Sequence, residues 1–234
     1  MKAIFKKEFM SYFKTPLGWV FLSAFLLVSG LIFNSANLLG GDSSLQGVFS
    51  NIITICTFLI PVLTMRLLSE ERNQKTDQVL FTAPVSVSRV VIGKYFAAVA
   101  VFGLALASTL LYLFVLAAHG APPYAETFGS YLGFFLLGMS LIAIGTFISS
   151  LTESQVVSAI STFFAVLAFF MLDLVKQVGQ SQALAKFIDW ISITARFSDF
   201  LIGVLNIAPI VYYLSFSTLF IVFTIAVLEK RRIS

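Results

Sequence analysis

The sequence predicts an all-α polytopic membrane protein with six transmembrane helices. Of its 234 residues, 59% are hydrophobic and 11% are charged, whereas soluble domains carry roughly 45–50% apolar and about 25% charged residues. A helical span needs about 20 apolar residues, and six long apolar runs contain no Asp, Glu, Lys or Arg between their ends. A β-barrel would alternate polar and apolar residues instead. The runs are residues 17–33, 48–65, 95–118, 131–151, 156–172 and 208–228.

A short amphipathic helix, residues 1–16, is predicted before the first run. Phe5, Phe9 and Phe13 recur at helical spacing, and the lysines of this segment lie largely on other faces. This pattern is typical of a helix that lies in the membrane interface. Pro16 is favoured at the first position of a helix, so we expect the interfacial helix to end there and the first span to begin.

The basic residues predict the orientation in the membrane. Twelve of the 15 lysines and arginines lie in the N-terminal segment, in the loop after the second run and at the C-terminus. By the positive-inside rule, both termini and this loop are expected on the cytoplasmic side of a plasma (inner) membrane. The net charge of +4 then reflects topology, and we expect no nucleic-acid partner.

The loop after the second run has a polar part followed by an apolar part. Glu70 and Glu71 suit the first turn of a short helix, where acidic residues interact favourably with the helix dipole, and Pro84 ends the helical stretch. Leu80 and its neighbours are too apolar for a simple linker. Two interpretations stay open from the pattern alone: a docking element for a partner, or a connector whose apolar end lies under the bundle.

The segment 173–207 on the opposite side is predicted to form short outer helices before the last span. Its apolar residues follow the i, i+3, i+4, i+7 spacing of an amphipathic helix. The alternative is a lid that packs on the bundle without contact to cargo. The residues at this spacing are Leu184, Phe187, Ile188 and Ile191.

No residue pattern indicates catalysis, a cofactor or a metal site. The phosphate-binding pattern GxxxxGK[ST] does not occur in the sequence, and His119 and Cys56 are the only histidine and cysteine. The charge-free spans argue against ion-coupled transport, although Pro61 could break the second span and create a sodium site. Gly129 and Gly133 form a GxxxG pattern, which permits close helix approach.

Three stretches carry recognisable motifs. They are residues 5–16, with a basic-Glu pair before an aromatic residue and Pro; 65–76, continued by 82–85 and 93–95; and 211–215 with 228–232. Together these stretches resemble a known family, the membrane subunits of type-2 ABC exporters, of the compact kind related to gliding-motility and copper-maturation permeases. The family commonly has Gly-Thr followed shortly by Glu where this chain has Lys75, Thr76 and Asp77.

The resemblance implies a single transmembrane domain, residues 1–234, that acts as a permease subunit and exports an unidentified substrate. Two such subunits, identical or related, would pair with two separate ATP-binding-cassette ATPase chains in the lipid bilayer. The loop 69–85 would be the coupling helix, seated in a groove of the ATPase. The expected coupling residues are Glu70, Glu71, Arg72, Thr76, Asp77, Leu80 and Pro84.

Two other functions remain open at this point. One is a non-transport membrane anchor or scaffold of a larger machine, and the other is an ion-coupled secondary transporter. The uniformly apolar spans do not rank lipid, hydrophobic peptide or other cargo.

Overall fold

A computed structural model of the chain describes residues 1–75, 86–119, 122–178, 192–204 and 206–233. These residues form helices and connecting turns, with no strand among them. Six of the helical stretches are long and apolar enough to cross a membrane. The predicted all-α, six-span fold is therefore confirmed. The spans are Pro16–Leu39, Gln46–Asn73, Val87–Ala118, Tyr124–Leu151, Gln155–Leu172 and Ile207–Arg232.

The N-terminal helix α1 (Lys2–Lys14) is separate from the first span. Thr15 adopts an extended backbone between them, with φ −103° and ψ 156°. Pro16 then starts α2 (Pro16–Phe33) at its first turn, as its fixed φ favours. The span continues beyond α2 through a π-helical stretch, Asn34–Leu39.

The second span contains α3 (Gln46–Thr64) and a short helix, α4 (Ser69–Asn73). Pro61 does not break the span, so the possibility raised from the sequence is wrong. Proline removes one backbone donor, but Pro61 lies near the end of α3, and its carbonyl still accepts the Met65 N–H at 2.9 Å. The helix predicted after Ser69 is observed to Asn73, and residues 76–85 lie outside the described part of the chain.

The third span is divided into α5 (Val87–Ser108) and α6 (Leu110–His119). The apolar run predicts one continuous helix here, and the break at Thr109 is a difference. The Thr109 hydroxyl donates to the Leu106 carbonyl at 2.7 Å. The Thr109 backbone N–H donates to the same carbonyl at 3.1 Å, so the helix changes locally to i→i−3 hydrogen bonding, which interrupts the regular α-helical pattern.

The central helix of the bundle is α7 (Tyr124–Leu151), which packs against α3, α5 and the three helices that follow it. Those helices are α8 (Gln155–Val178), the short α9 (Phe197–Leu201) and α10 (Ile207–Ile233). The predicted short helix before the last span is thus represented by α9. The stripe Leu184, Phe187, Ile188 and Ile191 lies outside the described residues.

Small residues let neighbours approach α7 closely. A Cβ added at Gly133 would lie 2.6 Å from the Phe200 ring, and one at Gly129 would lie 2.5 Å from the Phe200 carbonyl oxygen. The GxxxG pattern therefore accommodates the short helix α9 and not another span. One face of α7 also receives Thr64 of α3, which lies directly over Gly145.

Candidate coupling site

The candidate functional site is the junction around α4, where the ends of several spans meet. The helix has five residues and no side-chain cap of its own, so its first N–H groups need outside acceptors. Ser149 of α7 provides one: its Oγ accepts the Leu68 and Ser69 N–H groups, both at 3.1 Å. The same hydroxyl donates to the Met65 carbonyl at 3.2 Å. A side chain of another span therefore caps α4.

Lys94, in the second turn of α5, is the most deeply buried charged side chain of the described residues, with 2% exposed. Its Nζ contacts the Leu67 carbonyl oxygen at 2.8 Å, a Glu71 carboxylate oxygen at 2.9 Å and a Glu8 carboxylate oxygen at 3.2 Å. An ammonium group has three hydrogens to donate, and here each has an acceptor. Since a buried charge without partners is costly, this one atom holds α1, α4 and α5 together.

The remaining acidic and basic side chains of α4 also find partners within the chain. Glu70 pairs with Arg66. Arg72 pairs with Glu153 at 2.6 Å and donates to the Leu151 carbonyl at 2.9 Å, at the turn between α7 and α8. The predicted coupling residues Glu70, Glu71 and Arg72 are therefore brought together. Glu71 and Arg72 fix α4 to other elements, whereas Glu70 pairs within its own segment. The other four, Thr76, Asp77, Leu80 and Pro84, lie outside the described residues.

The last span reaches the same junction. Arg231 of α10 donates to the Ser150 carbonyl at 2.7 Å, one residue from the serine that caps α4. The ends of α1, α7 and α10 therefore lie at one end of the bundle, together with α4.

The aromatic residues of α1 form a continuous series of ring contacts, of which the first is stacked and the other two are edge-to-face. The ring centroids are 6.0 Å apart for Phe5 and Phe9, 5.2 Å for Phe9 and Phe13, and 5.6 Å for Phe13 and Trp19. The Trp19 indole N–H also donates to the Phe13 carbonyl at 3.0 Å. The predicted interfacial residues thus connect α1 to the first turn of α2.

A second face of α1 packs on the bundle. Tyr12 is buried, and its hydroxyl donates to the Leu63 carbonyl at 2.9 Å. Burial raises the pKa of Tyr12, and the nearby Glu8 charge raises it further. The hydroxyl therefore keeps its proton at neutral pH and remains a donor. Near the other end of α1, Gly93 lets the helix approach α5 closely, since an added Cβ there would lie 3.0 Å from Ile4.

The second residue after the end of α4 has an unusual backbone conformation. Lys75 has φ 54°, in the left-handed region, and its N–H donates to the Arg72 carbonyl at 3.1 Å. Helices commonly end with a left-handed residue, usually glycine. The position where the sequence departs from the resembling family's Gly therefore has a backbone that suits glycine.

Lys94 and Glu8 are two site residues that the sequence pattern does not single out. In the sequence, Lys94 contributes to the basic residues of the cytoplasmic loop and to the stretch 93–95. The available signal was its position, directly before an apolar run and after a glycine. A lysine there must lie either at the membrane surface or against a carboxylate.

The sequence profile of a family described as ABC-2 family transporter protein matches residues 2–229, nearly the whole chain. The chain belongs to the ABC-2 transporter family. None of the curated proteins matches it closely enough to serve as a relative. The protein is therefore a multi-pass membrane protein and a permease of an ABC transporter. The resemblance to type-2 ABC exporters is confirmed at this level, and the gliding-motility and copper-maturation kind stays a prediction.

Proposed function

We propose that this ABC-2 permease exports its substrate by using conformational changes of a separate ATPase chain that docks on segment 69–85. The observation that carries the proposal is the set of ion pairs and hydrogen bonds that join α4 to other helices. Lys94 joins α4 to α1 and α5, Ser149 joins it to α7, and Arg72 joins it to the turn before α8. A displacement of this short helix would therefore reach most of the bundle.

Physical differences between the junction and the spans support this division of roles. Around α4 the contacts are ion pairs and hydrogen bonds, which fix distances between particular atoms. Within the spans the contacts are mostly apolar, and packed helices can slide or rotate between alternative arrangements. The junction is thus suited to receive a force, and the bundle is suited to rearrange in response.

The topology of the proposal has both termini and α4 on the cytoplasmic side of the plasma membrane. The positive-inside pattern favours it, and the shared end of the bundle supports it: Glu8 contacts Lys94, and Arg231 contacts Ser150. We further propose that two copies, or this chain and a related one, form the passage in the lipid bilayer. In this proposal residues 1–234 act as one transmembrane domain, α1 lies along the inner leaflet and segment 173–207 lies near the exit.

An attachment experiment tests the docking surface. Asn73 and Ser43 are both exposed, and they lie on opposite ends of the second span. In a Cys56→Ala background, the permease should stimulate ATP hydrolysis by the co-expressed ATPase in proteoliposomes. A polyethylene glycol maleimide attached to Asn73→Cys should abolish this stimulation. The same adduct on Ser43→Cys, the matched control, should leave stimulation unchanged. Equal stimulation with both adducts would contradict docking at α4.

A further inference from the structure

We propose that Lys94 is a positioning residue that makes α1 part of the coupling element, so that α1, α4 and the first turns of α5 move as one body. The function of this unit rests on the proposed role of α4, whereas the link itself is a property of this chain alone. The link gives the first span a connection to α4 through α1.

The Lys94 ammonium group is coordinated by three different segments of the chain. Its acceptors come from α1 (Glu8), from the connection before α4 (Leu67) and from α4 itself (Glu71). The two carboxylate side chains are 16% and 21% exposed, against 2% for the lysine. Separating α1 from α4 would remove an acceptor from a charge that water barely reaches. Because an unsatisfied buried charge is unfavourable, separating α1 from α4 costs free energy, and we expect the two helices to move together.

A stripe on α1 is built for this contact. Ile4, Glu8 and Tyr12 recur every four residues and therefore share one helix face. Ile4 lies against Gly93, Glu8 contacts Lys94, and Tyr12 donates to the Leu63 carbonyl at the end of α3. One face of α1 thus contacts both α5 and the segment that leads into α4.

The opposite end of α1 connects this unit to the first span. Thr15 donates its hydroxyl to the Ser11 carbonyl at 2.9 Å. Trp19 of α2 bonds to the Phe13 carbonyl and packs on the Phe13 ring. A displacement of α4 would therefore pass through Lys94 to α1, and from α1 to α2.

Pulsed electron paramagnetic resonance on the purified full chain tests the link without any partner. Spin labels at Lys6→Cys and Asn73→Cys, both exposed positions, report the distance between α1 and α4 in a Cys56→Ala background. The wild-type background should give one narrow distance distribution. The neutral triple variant Lys94→Met, Glu8→Gln, Glu71→Gln should at least double its width. An unchanged width would overturn the proposal.

Two further variants separate the link from general loosening. The pair Arg72→Gln and Glu153→Gln removes a different ion pair of α4 and should leave the distribution between α1 and α4 narrow. The single variant Lys94→Arg keeps a cation between the two intact carboxylates, so most of its distance distribution should stay as narrow as in the wild-type background. If the triple variant fails to fold, Glu8→Gln alone decides, because it leaves Lys94 bound to Glu71 and Leu67: a broadened distribution supports the link, and an unchanged one overturns it.

A second arm distinguishes this inference from the proposed function. Spin labels at Lys6→Cys and Ser43→Cys report the distance between α1 and the far end of the second span. When the ATPase is bound and trapped by vanadate, this distance should change in the wild-type background. In the triple variant the change should be at most half as large. No change in the wild type would contradict the proposed function, while the static widths still decide the link. An equal change in both would overturn transmission through Lys94.

Discussion

The Lys94 Nζ atom lies 2.9 Å from the Glu71 Oε1 atom, and this ion pair joins the start of the third span to the short helix α4. Glu71 is one of the residues that the sequence suggested for contact with an ATPase, and the structure places its carboxylate on a buried lysine of its own chain. The side chains at the start of α4 thus hold the helix in place. An ATPase surface would then meet the exposed residues at its end, of which Asn73 is one.

Removing the buried cation alone should be far more damaging than removing the whole charged cluster. Lys94→Met leaves two carboxylates without their cation, and breaking a buried pair in this way costs about 3–5 kcal/mol of unfolding free energy. The neutral triple variant with Glu8→Gln and Glu71→Gln should lose less than about half of that. Thermal unfolding in detergent, followed by fluorescence, measures the difference. Equal losses would show that the charges do not interact.

Ser149→Ala should free the first turn of α4. The substitution removes the acceptor of the Leu68 and Ser69 N–H groups, and losing a capping side chain costs about 0.5–2 kcal/mol. Hydrogen exchange of peptides covering α4 should therefore become faster. Ser150→Ala is the matched control, since the Ser150 hydroxyl donates to the Phe147 carbonyl of its own helix. Identical exchange rates in the two variants would show that the Ser149 hydroxyl does not stabilise the first turn of α4.

Lys75→Gly should stabilise the protein. A non-glycine residue in the left-handed region is unfavourable by roughly 1–2 kcal/mol, and glycine relieves this at some cost in unfolded-chain entropy. We expect a net gain of about 0.5–1 kcal/mol, seen as a higher melting temperature. Gln74→Gly, at φ −81°, should instead lower it. A lower melting temperature for the Lys75 variant would contradict the backbone argument.

Tyr12→Phe should change the alkaline limit of stability. Burial raises the pKa of Tyr12 above its ordinary value, so above about pH 10 the unfolded chain releases this proton while the folded chain retains it. Stability from this group is therefore present below that pH and is lost as the pH rises further. The variant should lose about 1 kcal/mol at neutral pH and show a smaller decline above pH 10 in thermal unfolding. Tyr124→Phe, at an exposed residue, should keep the wild-type alkaline profile.

The spans could be predicted from the sequence because a membrane helix requires a long run without charges, and composition alone reveals it. The break before the first span was equally visible, since Thr15 and Pro16 are local signals. The break at Thr109 was not, because serines elsewhere in the chain make the same hydroxyl bond within unbroken helices, so the residue type gives no signal.

The site was less predictable than the spans. The acidic pair Glu70 and Glu71 indicated the start of α4, which is a local property. The contact between Glu8 and Lys94 depends on how α1 folds back on α5, and no short-range pattern encodes the pairing of two residues so far apart in the chain. The cap from Ser149 has the same origin, since the sequence alone gives no sign that α4 lies against the end of α7.

Site-specific photocrosslinking tests directly whether an ATPase acts on this permease at α4, as we propose. A benzoyl-phenylalanine at Asn73 in the assembled transporter should form a covalent adduct with the ATPase chain. The same probe at Leu39, an exposed residue before α3, should form none. An active assembly in which the Asn73 probe never reaches the ATPase would contradict the account.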